Sequence, residues 1–432
     1  MYLPFRHGTG KEDGMIGIIG CGASGMLAAI MAAREGASVT VLEHNDRAGR
    51  KLLATGNGRC NLANEDQSAE WFRTDMPGIA QSILKQFSKN DVLDFFRGIG
   101  IPVRCKRGYW YPQCEQASAV VTALTEEMRR LNVRVMYGAS VTRVDVITNT
   151  DGSGFNVTVK EQGGNSRTVF FDKLMLACGG PAGDRLGQSD FGFRTLRAIG
   201  VQVMRYQPAL VPLETDQDGK KDIAGVRMEA SLTLSCGDAE HREKGEIVWT
   251  EYGISGIPVM QLSRFAAKAL SAGEKVTLTV CMIPESDAEE IRNEVLSRAE
   301  SPVFASRNAA EALCGLVPGK ISLWLMKRAG IDPLEPFADI SKERLERYAS
   351  ELSGLTLTVT GLRPYAQAQT TCGGVPLSEI NPDTMEITAI PGLYVAGELL
   401  DVDGACGGYN LQWAFATGAV AGRALGSTRR NA

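Results

Sequence analysis

Met15-Ile-Gly-Ile-Ile-Gly-Cys-Gly-Ala-Ser-Gly25, continued by MLAAIMAAREGASVTVLE to Glu43, decides the fold. The apolar run 15–19 reads as a buried strand, the alanine-rich run 25–35 as a helix, and 38–43 as a second strand. Between strand and helix, Gly20, Gly22 and Gly25 fall in the GxGxxG spacing. With 48 glycines in 432 residues, chance supplies roughly 0.6 such triplets per chain. The flanking elements therefore carry the reading. A strand runs directly into the first glycine, a helix follows the third, and an acid, Glu43, stands 18 positions past Gly25. That is a complete βαβ dinucleotide unit.

Each part has a physical task. Gly20 permits the tight turn, Gly22 has no Cβ and lets a pyrophosphate approach the backbone, and Gly25 lets the helix pack on the strand. Unpaired N–H groups at the start of the helix, here including Ala23 and Ser24, receive the phosphates. Glu43 accepts from a ribose 2′-hydroxyl and would repel a 2′-phosphate, so NAD or FAD fits this site and NADP does not.

Working outward, alternating elements continue to about residue 180, with helices expected near 78–98 and 117–131 and strands near 133–146, 155–160 and 170–177. The tail from about 370 returns to this α/β style, with a strand at Leu393–Ala396 and a helix over 410–425. The stretch 200–280 reads as strands (VQVMRY, ALVPLE, MEASLTLS, EIVWTE, KVTLTVCMI), a charged helical stretch fills 286–352, and LTLTVTG returns to strand. The expected domains are a disordered extension over 1–13, with Met15 a possible true start; a dinucleotide-binding domain of 14–195 and 366–432; a β-rich substrate domain of 196–285 and 353–365; and a helical cap of 286–352.

Two further segments point to a flavin. The loop Arg47-Ala-Gly-Arg-Lys-Leu-Leu-Ala-Thr-Gly-Asn-Gly-Arg-Cys-Asn61 is too basic and glycine-rich for a packed connection. Arg50 and Lys51 can neutralise a pyrophosphate, and Gly56 and Asn57 offer close backbone approach. Near the end, GLYVAGELLDVDGACGGYNLQWAFATGAVAG delivers Gly397 and Glu398 past a buried strand and opens a helix at Asn410-Leu411. An acid there can bond a ribityl chain, and a helix N-terminus beside the pyrimidine carbonyl stabilises a reduced ring. A nicotinamide dehydrogenase has no need to return to its Rossmann core so late in the chain; FAD, held end to end, does.

These segments resemble a family of bacterial FAD-dependent oxidoreductases with GRKLLxTGNGRCNLxN after the second strand, TxGGV, and GLYxAGExLDVDGxxGGYNLQWAxxxG at the end. The resemblance runs from Met15 to the C-terminal helix and includes ALVPL at 209–213 and GISG at 253–256. It implies a Rossmann-type FAD lobe with an inserted β-barrel-like domain and a small helical cap. Members include a 3-dehydro-4,6-diene bile acid reductase and an aminoacetone oxidase. Many members read T-H-x-G-[IL]-S-G-P where this chain has Thr250-Glu251-Tyr252-Gly253-Ile254-Ser255-Gly256-Ile257, so no role carries over to that histidine. The expected cofactor set adds Thr55, Cys60, Asn61, Val141, Ala177 and Gly179 to the residues named above.

The remaining composition narrows the chemistry. A net charge of −4 offers no field for nucleic acid, and ten scattered cysteines without a CxxC pair suit a reducing cytosol and exclude a redox dithiol. No Cys/His spacing predicts a metal, and no stretch reads as a membrane span. One fingerprint means one FAD, with NADH or NADPH visiting as a transient co-substrate. Two reactions fit: hydride transfer to a conjugated enone, or amine oxidation with oxygen as acceptor. A flavin sensor is the non-enzymatic alternative. Tyr252, Tyr365 and Tyr409 are the loop tyrosines placed to act as acids, Tyr252 and Tyr409 being the favoured pair, on a small hydrophobic substrate.

Overall fold

A computed structural model of the chain describes residues 15–149, 152–160, 164–183 and 189–427. The expected extension over 1–13 lies outside them. Two compact units emerge, one of residues up to Tyr206 together with Thr370 onward, the other of Gln207–Gln369.

In the first unit five parallel strands form the central sheet: β1 (Ile16–Ile19), β2 (Val39–Leu42), β3 (Arg134–Met136), β4 (Lys173–Leu176) and β5 (Leu393–Val395), in the order β5-β4-β1-β2-β3. All of β1 is buried, as a strand covered on both faces must be. The first crossover is helix α1 (Ala23–Arg34), whose run from Ser24 to Ala32 is enclosed. Helix α2 (Ala117–Arg130) follows later, and the C-terminal helix α3 (Tyr409–Gly426) packs along α1.

That last contact explains three glycines. A Cβ on Gly418 would stand 2.5 Å from the Ser24 carbonyl oxygen, on Gly422 2.5 Å from that of Ala28, and on Gly426 2.8 Å from that of Ala32. Glycine at every fourth position of α3 thus lets two helices from opposite ends of the sequence touch backbone to backbone. The expected helix over 78–98 is instead two, Pro77–Gln86 and Lys89–Gly98, split where Ser88 and Asp91 form a capping box. A three-stranded antiparallel sheet (Ser140–Asn149, Gly152–Lys160, Ser166–Phe171) precedes β4.

The second unit is a closed six-stranded barrel of Leu213–Thr215, Gly253–Gly256, Ala239–Thr250, Arg227–Cys236, Val276–Cys281 and Leu355–Leu362, antiparallel throughout. Its interior is one apolar core shared with the helices of 288–354, including Trp249, Leu278, Leu325 and Tyr348. Two expectations for the stretch 200–280 fail. VQVMRY forms no strand, and Met204 N–H instead donates to the Gly374 carbonyl. The strand-rich reading of 200–280 also passes over a helix, Ile257–Ser271, with Pro258 in its first turn and Val259, Leu262, Ala266 and Ala269 buried at helical spacing.

Candidate cofactor site

The carboxyl ends of β1, β2, β4 and β5 bring the sequence-predicted residues of the first unit together. Gly20 turns at φ 105°, and a Cβ there would lie 2.6 Å from the Ala177 carbonyl at the end of β4. Gly25 faces the Gly20 carbonyl so closely that no Cβ fits. Gly22 is different: its φ is −90°, open to any residue, and a Cβ would meet nothing within 4 Å. Packing explains glycine at 20 and 25. At 22 packing does not require it.

Gly22 also caps α1 without a side chain, and the first turn of α1 carries no acid; the same holds for Gly408 and α3. Two helices thus present bare positive N-termini, the arrangement that receives anionic groups. Ala23 and Ser24 open α1; Leu411 and Asn410 open α3. The Asn410 amide is spent locally, accepting from Gly404 N–H and donating to the Gly404 carbonyl, both at 2.8 Å, so it holds the loop.

Glu43, enclosed at the end of β2, ties the cradle together. Its carboxylate accepts from Cys21 N–H at 2.8 Å and from the backbone N–H and side-chain amide of Asn45 at 2.8 and 2.7 Å. His44 Nδ1 stands 3.1 Å away. Burial disfavours the charge, but His44 and the Asn45 and Cys21 N–H bonds outweigh it and hold the carboxyl below its ordinary range. Arg50 reaches the same knot, donating to the Asn45 amide oxygen at 2.7 Å.

The basic loop forms a short helix, Arg50–Ala54, and a tight turn in which Gly56, Asn57 and Cys60 adopt positive φ of 55–60°. Asn57 and Cys60 are thus non-glycine residues held in the left-handed region, which costs energy that the surrounding structure must offset. Thr55 bonds the Leu52 carbonyl, and burial pushes the Cys60 thiol up to about 12, which keeps it inert. Burial likewise pushes Cys178, between Ala177 and Gly179, up to about 12. Lys51 Nζ pairs with Glu398 Oε2 at 2.5 Å across 347 residues of sequence.

Among the described residues of this unit, three buried side-chain oxygens have no hydrogen-bond partner: Asn61 Oδ1, Thr371 Oγ1 and Glu398 Oε1. Two converge, since a Cβ on Gly180 would be 2.6 Å from Thr371 Oγ1 and 3.1 Å from Glu398 Oε1. Asn61 Oδ1 lies 2.7 Å from the Cβ position of Gly408. An unpaired buried acceptor costs about 1–3 kcal/mol, so this set calls for hydroxyl or N–H donors. FAD brings both, in its ribityl hydroxyls and ring N–H, and the residues present fit it. Sequence reasoning missed Thr371 and Gly180, although TTCGGV carries the first in a glycine-flanked run. Val141 is half-buried in the strand Ser140–Asn149.

Tyr409 is enclosed, stacked on Trp71 at 6.1 Å and edge-on to Phe72 at 5.3 Å. Tyr365 is half-buried in a short turn. Tyr252 belongs to the barrel unit, half-buried, with the Arg363 guanidinium over its ring at 4.3 Å. Among the described residues no cluster of His, Cys, Asp and Glu could hold a metal, and no helix is long and apolar enough to cross a membrane. An open groove of about 410 Å³, lined among others by Arg47, Thr122 and Tyr137, contains none of the expected cofactor residues.

Comparison with known proteins agrees with this frame. The family model described as the HI0933-like protein Rossmann domain matches residues 15–424. The chain is 38% identical over 412 residues, 95% of its length and 98% of the relative's, to the 3-dehydro-bile acid delta(4,6)-reductase of Clostridium scindens. It is 29% identical over 403 residues, 93% and 95% of the two chains, to the ribosomal RNA dihydrouridine synthase of Haemophilus influenzae. Among solved structures, the 3-ketosteroid delta1-dehydrogenase of Sterolibacterium denitrificans superposes with a TM-score of 0.50 at 13% identity over 95% of this chain and 99% of that one, a likeness of fold. The chain thus belongs to the HI0933-like family and is a flavin-dependent oxidoreductase built on a Rossmann-type FAD-binding fold.

Proposed function

We propose that this protein reduces a C=C bond conjugated to a carbonyl in a small hydrophobic substrate, most concretely a 3-oxo-4,6-diene bile acid or related steroid, in the cytosol. The observation that carries the reading is the 38% identity to a delta(4,6)-reductase over nearly both full lengths. The reaction named for the 29% relatives, from uridine to dihydrouridine, is also saturation of a C=C bond conjugated to a carbonyl, so the chemistry is common where the substrates differ.

A bound FAD supplies hydride chemistry, with NADH or NADPH as the proposed electron source. The protein's own part is threefold. Glu43, the α1 N-terminus, Lys51 and Glu398 bind and orient the cofactor; a donor must meet the charge that develops on the carbonyl oxygen; and an acid must deliver a proton to the carbon beside that carbonyl. For that acid Tyr252 is the barrel unit's candidate, its ring fixed by Arg363, which is itself held by Glu214 at 2.8 Å. Tyr409, walled in by Trp71 and Phe72, supports the start of α3. The domain division proposed from the sequence, an FAD lobe interrupted by a substrate-shaping insert, goes with this reading.

The test is anaerobic mixing of the holoenzyme with NADH or NADPH while flavin absorbance is followed, then turnover against 3-oxo-4,6-diene steroids, simple enones, uridine-containing RNA and aminoacetone. Bleaching by a nicotinamide and re-oxidation by the dienes is the expected result. Bleaching by aminoacetone alone would establish an amine oxidase. No bleaching by any donor would leave a flavin sensor, and turnover confined to RNA would overturn the substrate class.

A further inference from the structure

We propose that Tyr109 is a substrate-facing residue of this site, its hydroxyl donating a hydrogen bond to the carbonyl oxygen of the bound enone. The inference rests on the reductase reading above and adds to it a residue that no motif singled out. Tyr109 lies on the strand Tyr109–Pro112, whose hairpin partner is Val103–Lys106. Its other neighbour is the two-residue strand Ala63–Asn64, in register Asn64↔Tyr109. That strand follows directly on the loop ending at Asn61, so Tyr109 is pinned to the loop expected to hold the cofactor.

Two contacts bring it to the start of α3. A Cβ on Gly407 would stand 2.8 Å from Tyr109 Cε1, and Asn64 Nδ2 donates to the Gly407 carbonyl at 3.0 Å. Gly407 has φ 126° and Gly408 φ 101°, so the turn that opens the helix needs glycine both for its backbone and to seat the tyrosine ring. The ring is therefore a wall of the glycine turn beside the bare N-terminus of α3.

Tyr109 also differs from its tryptophan neighbours in what its polar end does. Trp71 Nε1 donates to Asp66 at 2.7 Å and Trp110 Nε1 to Glu65 at 2.7 Å. Tyr409 is enclosed, and Tyr111 is packed under Arg59. Tyr109 is half-buried, and among the described residues its hydroxyl has no hydrogen-bond partner. A fixed ring carrying a free donor at the edge of a cofactor site is the arrangement that stabilises a developing oxyanion.

Tyr109→Phe keeps the ring on Gly407 and removes the donor; Tyr111→Phe is the control. FAD content and melting temperature are measured for both, then the reduced holoenzymes are re-oxidised anaerobically by a 3-oxo-4,6-diene steroid in single turnover. Tyr109→Phe is expected to keep its FAD and lose about 10²–10³-fold in rate, with Tyr111→Phe within twofold of wild type. Wild-type rate in Tyr109→Phe, or an equal loss in Tyr111→Phe, overturns the proposal alone. A wild-type protein that no enone re-oxidises overturns the reductase reading, and this assignment with it.

Discussion

Replacing Gly22 by alanine separates what the chain needs for folding from what it needs for its cofactor. The residue sits at φ −90°, ψ −166°, which alanine adopts without strain, and the added methyl meets no atom within 4 Å. The expected change in the apo-protein is the helix-capping preference of glycine over alanine, about 0.5–1 kcal/mol. In the complex the same methyl intrudes where the pyrophosphate approaches the backbone, and overpacking of that kind costs about 1–3 kcal/mol. The FAD dissociation constant should then rise about 5- to 150-fold, at 1.4 kcal/mol per decade. Gly25→Ala is the contrast, because its Cβ collides with the Gly20 carbonyl and the apo-fold itself should suffer. Urea unfolding of the apo-proteins and titration of FAD against its fluorescence give the two numbers. Wild-type FAD affinity in Gly22→Ala would refute the placement of the pyrophosphate.

Glu43→Ala strips the acceptor from Cys21 N–H and Asn45, and should destabilise the apo-protein by about 2–4 kcal/mol and empty it of FAD. Because the Glu43 carboxyl is held below its ordinary value of 4.5, its contribution is full above that value and is lost as pH falls through the lower folded-state value; acid unfolding curves of the variant should be flatter there. Lys51→Met leaves Glu398 without its ion-pair partner, and a double-mutant cycle with Glu398→Gln should return a coupling of about 1–2 kcal/mol in urea; additivity would show the pair to be idle. Gly422→Ala would stabilise an ordinary helix by about 1 kcal/mol, yet here should lower the melting temperature, since its Cβ stands 2.5 Å from the Ala28 carbonyl; a rise would refute the close packing of α1 on α3.

Periodicity and glycine spacing sufficed for the βαβ unit at 15–43, the return of the chain to its first sheet through Leu393–Val395, and the strands of the insert, because each is a local pattern with a local cause. The resemblance supplied the barrel. The helix Ile257–Ser271 escaped because it lies in a stretch read for alternation, and VQVMRY because an apolar alternating run without a partner strand is only extended chain. Cofactor residues were legible as motifs but not as roles. The side chain of Asn410, read as a ligand, braces the loop at Gly404, while Thr371, legible only as the threonine of TxGGV and given no role, lies buried with its hydroxyl unpartnered beside Glu398.

The sequence by itself pointed to a dinucleotide site and to a flavin that would reach both ends of the chain, since a fingerprint is short-range geometry written in residue types. Only the tertiary structure decided which glycines packing requires and which it leaves open to a larger residue. It alone joined Lys51 to Glu398 and Gly407 to Tyr109, because those contacts depend on where remote segments meet, and no spacing along the chain records a meeting of that kind.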